Sequence, residues 1–161
     1  MIFRLTTKLG KKIGILPSLS LPSDENPFAD WSAHLFTAKR VQYILITNTP
    51  SLYSILIYGK GITNESKFLR RVMSYMSEFM RDDGLEFIYR RLVAPETAHV
   101  SFSKALNRSV TGSMNDLVLH AKFFLIEFEM SPYDVSLRLN EIPMTLLKYN
   151  HPREAFKSLQ R

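Results

Sequence analysis

The sequence predicts an α+β fold: one domain over residues 1–161, a mainly antiparallel β-sheet with helices packed on one face. Three observations carry this. Residues 41–47 and 52–58 are β-branched and aromatic runs flanking Asn48-Thr49-Pro50-Ser51, a turn composition, and read as a hairpin. Residues 64–81 place Phe68, Val72, Met76, Phe79 and Met80 at helical spacing. Ser113-Met114-Asn115-Asp116 has the composition of a helix start and leads into an apolar face of Met114, Leu117, Val118, Ala121, Phe124, Leu125 and Phe128.

The remaining elements fall into place around these. Residues 2–5 form a short opening strand, followed by a basic helical segment from Thr6 to about Ile13. Residues 16–27 hold Pro17, Pro22 and Pro27 among serines and form a loop within the domain. A strand at 33–37 precedes the hairpin through Ala38-Lys39-Arg40. Both hairpin runs are apolar on both faces, so the hairpin is covered and not left as a solvated edge. Thr63 or Asn64 caps the helix at 64–81 and Gly84 ends it; a short helical continuation over 85–93 is broken by Pro95. Residues 98–103 alternate as a strand, Thr111-Gly112 turns the chain, and helix 114–129 follows. Ser131-Pro132 and His151-Pro152 start two further helices. Helices 64–81 and 114–129 are expected on the same face of the sheet.

Composition narrows the function classes without choosing one. No cysteine occurs in 161 residues, which excludes a disulfide scaffold, a cysteine-ligated metal and a thiol nucleophile, and fits a reducing cytoplasm. The run 117–128 is the most apolar and is too short and too interrupted to cross a bilayer, so no membrane partner is expected. The formal charge of +6 favours a polyanionic partner. That excess sits at the ends: residues 1–12 hold Arg4, Lys8, Lys11 and Lys12 without an acid, and residues 148–161 hold Lys148, Arg153, Lys157 and Arg161 against Glu154.

Three constellations can carry chemistry. Residues 107–116 form the densest polar stretch and join a strand to a helix start, where free amides favour an anion. There Arg108 can grip a phosphate or carboxylate, with Ser109, Ser113 and Asn115 adding hydrogen bonds. The competing reading takes Ser113 and Asp116 as caps and Arg108 as a solvated charge. Asp116 and His120, four residues apart, share a helix face and are the candidate acid–base pair of an enzyme acting on a phosphate-bearing substrate. The plainer account is a polar, solvated stripe. Arg4, Lys8, Lys11, Lys12, Arg153 and Lys157 are the candidate nucleic-acid contacts, with Tyr43, Tyr53 and Tyr58 as stacking surfaces if exposed. No recognised nucleic-acid motif, nucleophile elbow or paired-histidine spacing accompanies them, so neither a metal nor a cofactor is implied.

Three stretches carry a resemblance: Arg4-Leu5-Thr6 at the start; Asn26-Pro27-Phe28-Ala29-Asp30-Trp31 with residues 40–48; and Asn107-Arg108-Ser109-Val110-Thr111-Gly112-Ser113-Met114-Asn115-Asp116. Together they resemble a bacterial domain family of unknown function over nearly the whole chain. The resemblance implies a bacterial, single-domain, cytosolic protein and supplies no reaction or catalytic residue. The expectation is therefore a binding or regulatory module for a phosphorylated small molecule or nucleic acid, with a phosphate-directed enzyme or a protein-interaction domain as the alternatives.

Overall fold

Apolar alternation along the hairpin decides the architecture. Ile44, Ile46, Ile55 and Ile57 belong to one buried cluster, and Tyr43, Leu45 and Leu56 to another. A sheet that is apolar on both faces needs cover on both. The computed structural model, which describes residues 1–160, supplies it.

Strands β1 (Ile2–Leu5), β2 (Asp30–Ala38), β3 (Val41–Asn48), β4 (Ser54–Tyr58) and β5 (Ser101–Ser103) form one sheet in the order β4-β3-β2-β1-β5. β2, β3 and β4 make an antiparallel meander, whereas β1 runs parallel to both β2 and β5. The sheet is mixed: the antiparallel expectation holds for the β2-β3-β4 meander and is corrected at β1, whose two pairings are parallel. The reason is the connection: residues 6–29, with helix α1 (Thr7–Ile13) and a long loop, are enough chain for a crossover that brings β2 back in the direction of β1.

The one-sided helical cover is corrected as well. Helices α1, α2 (Glu65–Asp82) and α6 (Pro152–Lys157) lie over one face through Leu9, Ile13, Phe68, Val72, Met76 and Phe156. Helices α4 (Arg108–Glu127) and α5 (Pro132–Leu139) lie over the other through Met114, Leu117, Val118, Val135 and Leu139. Between α2 and β5 the chain passes through a short helix α3 (Glu86–Ile88), a π-helical turn Tyr89–Val93 and a 3₁₀ turn Ala94–Ala98.

Helix α4 starts six residues earlier than Ser113-Asp116 predicts. Asn107 is the N-cap, its side chain accepting from Val110 N at 2.9 Å, and Thr111, Gly112 and Ser113 are helical. Asparagine caps as well as serine. Starting at Asn107 also buries Val110, which offsets the roughly 1 kcal/mol cost of Gly112 inside the helix.

The sheet treats its edges unequally. Along β4, the Ser136 hydroxyl accepts from Leu56 N at 2.8 Å, and the Asn140 amide bonds Ser54 N and O at 2.7 and 2.9 Å, so α5 closes the outer edge with side chains. β2 has no such closure beyond β1. β1 pairs it only from Asp30 to Ala33, ending where Thr6 N donates to Ala33 O at 3.2 Å. Asp30 O bonds toward β3, accepting from Thr49 N, so the two-residue alternation turns the N–H and C=O of Leu35 and Thr37 away from β3. Among the described residues no hydrogen-bond partner takes them.

Candidate anion-binding groove

The basic residues of the N-terminus separate on folding. Arg4 is buried: its Nε and Nη2 hold the two oxygens of Asp30 at 2.8 and 2.7 Å, and its remaining donors reach Leu21 O, Pro22 O and Ser103 Oγ. This corrects its expected place on a nucleic-acid surface; Arg4 follows the pleat of β1, and its charge is answered inside. Lys12 is half-buried and donates to Gln42 Oε1 at 2.7 Å, while Lys8 and Lys11 are exposed.

The C-terminal cluster is likewise divided. Arg153 pairs with Asp83, whose carboxylate also accepts from the Tyr53 hydroxyl at 2.8 Å, so Arg153 pins α6 to the end of α2. Lys157 bonds Glu154 at 3.1 Å on the helix surface. Tyr43 and Tyr53 are buried, leaving Tyr58 as the exposed ring of the three. The expected stacking platform is thus corrected to a single exposed ring, because the second face of the hairpin is covered.

Residues 107–116 wind into the first turns of α4. Arg108 and Ser109 are exposed there, Ser113 is half-buried and Asn115 is exposed. Arg108, Asn115 and Lys122 are spaced seven apart, which puts them on one stripe of the helix. Asn115 and Lys122 line a groove of about 470 Å³ between α4, the far half of β2 and the start of α1. Lys8, His34 and Thr37 complete its polar lining, and Val118 and Leu119 its apolar wall. No Asp or Glu lines it. Arg108 lies about 10 Å along the helix from Asn115, outside the groove.

His34 reports the electrostatics. Its imidazole is held below the usual histidine pKa, first by burial and then by the charges of Lys8 and Lys122. The ring is therefore neutral at pH 7 and offers one donor to a ligand. Lys122 also sits 6.0 Å from the centre of the Phe36 ring, which orients its stem over the sheet.

Asp116 and His120 line a different, smaller groove of about 370 Å³, opposite Pro143, Met144 and Thr145. Leu119 is shared by the two grooves. Arg108 lines neither, so the expected phosphate grip and the acid–base pair do not converge. Sequence reasoning singled out Lys8 and Asn115 but missed His34 and Lys122. The seven-residue repeat from Arg108 through Asn115 to Lys122 was the available signal for the lysine; nothing local marks His34, which depends on strand pairing.

Among the described residues no group of three His, Asp or Glu is placed to hold a metal ion, and no helix is long and apolar enough to cross a membrane. No curated protein and no solved structure matches the chain. What does match is a family, and over nearly the full length: residues 2–155 fit the domain of unknown function DUF6933, and the chain belongs to that family.

Proposed function

We propose that the chain is a binding module whose ligand is anionic and sits in the groove of Lys8, His34, Asn115 and Lys122. The observation that carries this is the sign of the lining: two lysines, a histidine and an amide converge with no carboxylate among them. A phosphate or carboxylate placed there meets charge-assisted hydrogen bonds from both lysines. The half-buried wall of β2 lowers the local dielectric and strengthens them.

An enzyme built on Asp116 and His120 has less support. The pair faces Pro143–Thr145 without a cation to hold a phosphate-bearing substrate beside it.

The test is a titration of the ¹⁵N-labelled chain with inorganic pyrophosphate at low ionic strength. Amide shifts are expected at Lys8, His34, Asn115 and Lys122, and the double variant Lys8→Gln/Lys122→Gln is expected to weaken binding at least tenfold. Shifts confined to Arg108 and Ser109, or none at millimolar pyrophosphate, would overturn the reading.

A further inference from the structure

Resting on the anionic reading of this groove, we infer that its natural ligand is an extended acidic peptide that adds as a strand to the free edge of β2. The main-chain N–H and C=O of Leu35 and Thr37 face the groove side that β1 vacates after Ala33. A row of alternating donors and acceptors is matched by another polypeptide in extended form, and by neither a phosphate ester nor a nucleic-acid backbone. β2 runs on for about 16 Å from His34 to Ala38, the length of a strand of roughly five residues; Thr37 is exposed and Leu35 only 3 % exposed, so pairing starts at Thr37.

The opposite edge of the sheet shows that an open edge is not the default here. β4 has the same kind of outward main-chain groups at Ser54 and Leu56, and α5 satisfies them with Asn140 and Ser136. β2 has no counterpart to these side chains among the described residues. Unclosed edges invite pairing with other chains, and lysines beside them oppose pairing with uncharged or like-charged strands.

Charge identifies the occupant. Lys8 stands at the near end of the free edge and Lys122 on the α4 wall. Lys39 and Arg40 form the turn at the far end. Both turn residues have positive φ, 47° and 67°, in a two-residue hairpin turn that asparagine and glycine suit better. The turn thus carries two cations at positions where backbone strain disfavours them. A second copy of this chain pairing edge to edge would set these cations against themselves, which argues against a homodimer. A segment with acidic side chains meets the two lysines that line the groove, Lys8 and Lys122, while Lys39 donates to Ile126 O at 3.4 Å. Leu119, 65 % exposed, and Val118 offer an apolar wall for its alternate residues.

The experiment uses the full ¹⁵N-labelled chain and an acetylated hexapeptide of alternating Glu and Val. At saturating peptide, hydrogen exchange at the Leu35 and Thr37 amides is expected to slow at least tenfold. A peptide N-methylated on the residues facing β2 is expected to bind at least tenfold more weakly, and a Lys–Val hexapeptide not to bind. Thr37→Pro removes an N–H that no partner uses in the fold, at a strand position where proline is tolerated. It is expected to lose the peptide while keeping the circular dichroism spectrum and cooperative urea unfolding of the parent chain, which report that the variant is folded.

Equal binding of the methylated and unmethylated peptides, with unchanged exchange at Leu35 and Thr37, would overturn strand addition. Pyrophosphate shifts that persist in that case leave the anionic reading standing. Loss of both ligands overturns both. Tighter binding of a dodecathymidylate than of the acidic peptide, without amide protection, would overturn the peptide in favour of single-stranded nucleic acid.

Discussion

Arg4 on β1 and Asp30 on β2 face one another in the interior as a two-pronged ion pair, with hydrogen bonds of 2.8 and 2.7 Å. The pair does more than join two strands. Arg4 reaches Ser103 on β5 and the carbonyls of Leu21 and Pro22, and Asp30 accepts from Asp24 N at 3.0 Å. One guanidinium therefore ties three parallel strands and the crossover loop together.

Removing one partner strands the other charge in the interior. Arg4→Met or Asp30→Leu alone is expected to destabilise the fold by about 3–5 kcal/mol, and the double variant by less than the sum of the two. Urea unfolding of the three variants checks this. A single-variant loss below about 1 kcal/mol would show that the pair is dispensable, since exposed ion pairs contribute no more than that.

A second clasp gives an alkaline limit. Burial pushes the Tyr53 phenol far above its usual pKa, and its hydroxyl donates to Asp83, which also holds Arg153. Above about pH 10 the unfolded chain releases the Tyr53 proton while the folded chain keeps it, so stability falls with rising pH from that point. The slope from this one group is about 1.4 kcal/mol per pH unit. Tyr53→Phe is expected to flatten that slope between pH 10 and 11, at a cost of about 1–2 kcal/mol at neutral pH from the lost hydrogen bond. Denaturant midpoints measured across pH 8–11 test both parts; an unchanged alkaline slope in the variant would contradict them.

Elements with strong local signals were legible. The hairpin turn, the stripe of α2 and the cap-and-proline starts of α5 and α6 all read correctly to within a few residues. Layering was not read, although the signal was present: Tyr43, Leu45 and Leu56 alternate with four isoleucines, which demands two covers, yet both long helices were expected on one face. Parallel pairing of β1 is invisible in a four-residue strand, because the direction of return depends on how a crossover packs. Asn107 and Ser113 are comparable caps, and only the burial of Val110 chooses between them. The groove was half legible. Lys8 and Asn115 stand out by residue type, whereas His34 joins them only because β2 lies beneath α4.

The closed edge of β4 makes a prediction independent of any ligand. Ser136 and Asn140 are buried and satisfy main-chain groups that would otherwise have none. Ser136→Ala leaves Leu56 N without its acceptor, and Asn140→Ala leaves both Ser54 N and O; each is expected to cost about 1–3 kcal/mol, with Asn140 the larger. The double variant opens a flat apolar edge and is expected to self-associate. Urea unfolding and light scattering after size exclusion report the two effects. A stable, monomeric double variant would mean that water serves that edge as well as α5 does.

His34 gives the groove a titration of its own. The charged groups facing it are Lys8 from α1 and Lys122 from α4, and both oppose its protonation, as burial does. With the folded pKa below the unfolded one, the unfolded chain takes up the proton first, so stability declines as pH falls below about 6.5. Lys8→Gln and Lys122→Gln are each expected to raise the His34 pKa, and the double variant to raise it further. A bound anion acts in the same direction: it favours the imidazolium, so the affinity for sulfate, whose charge is constant over this range, is expected to increase as the pH falls from 7 to 5.5. Proton NMR of the imidazole, with and without sulfate, follows the ring directly. A His34 pKa indifferent to both lysines would separate the three groups electrostatically and remove the convergence on which the groove's specificity for anions rests.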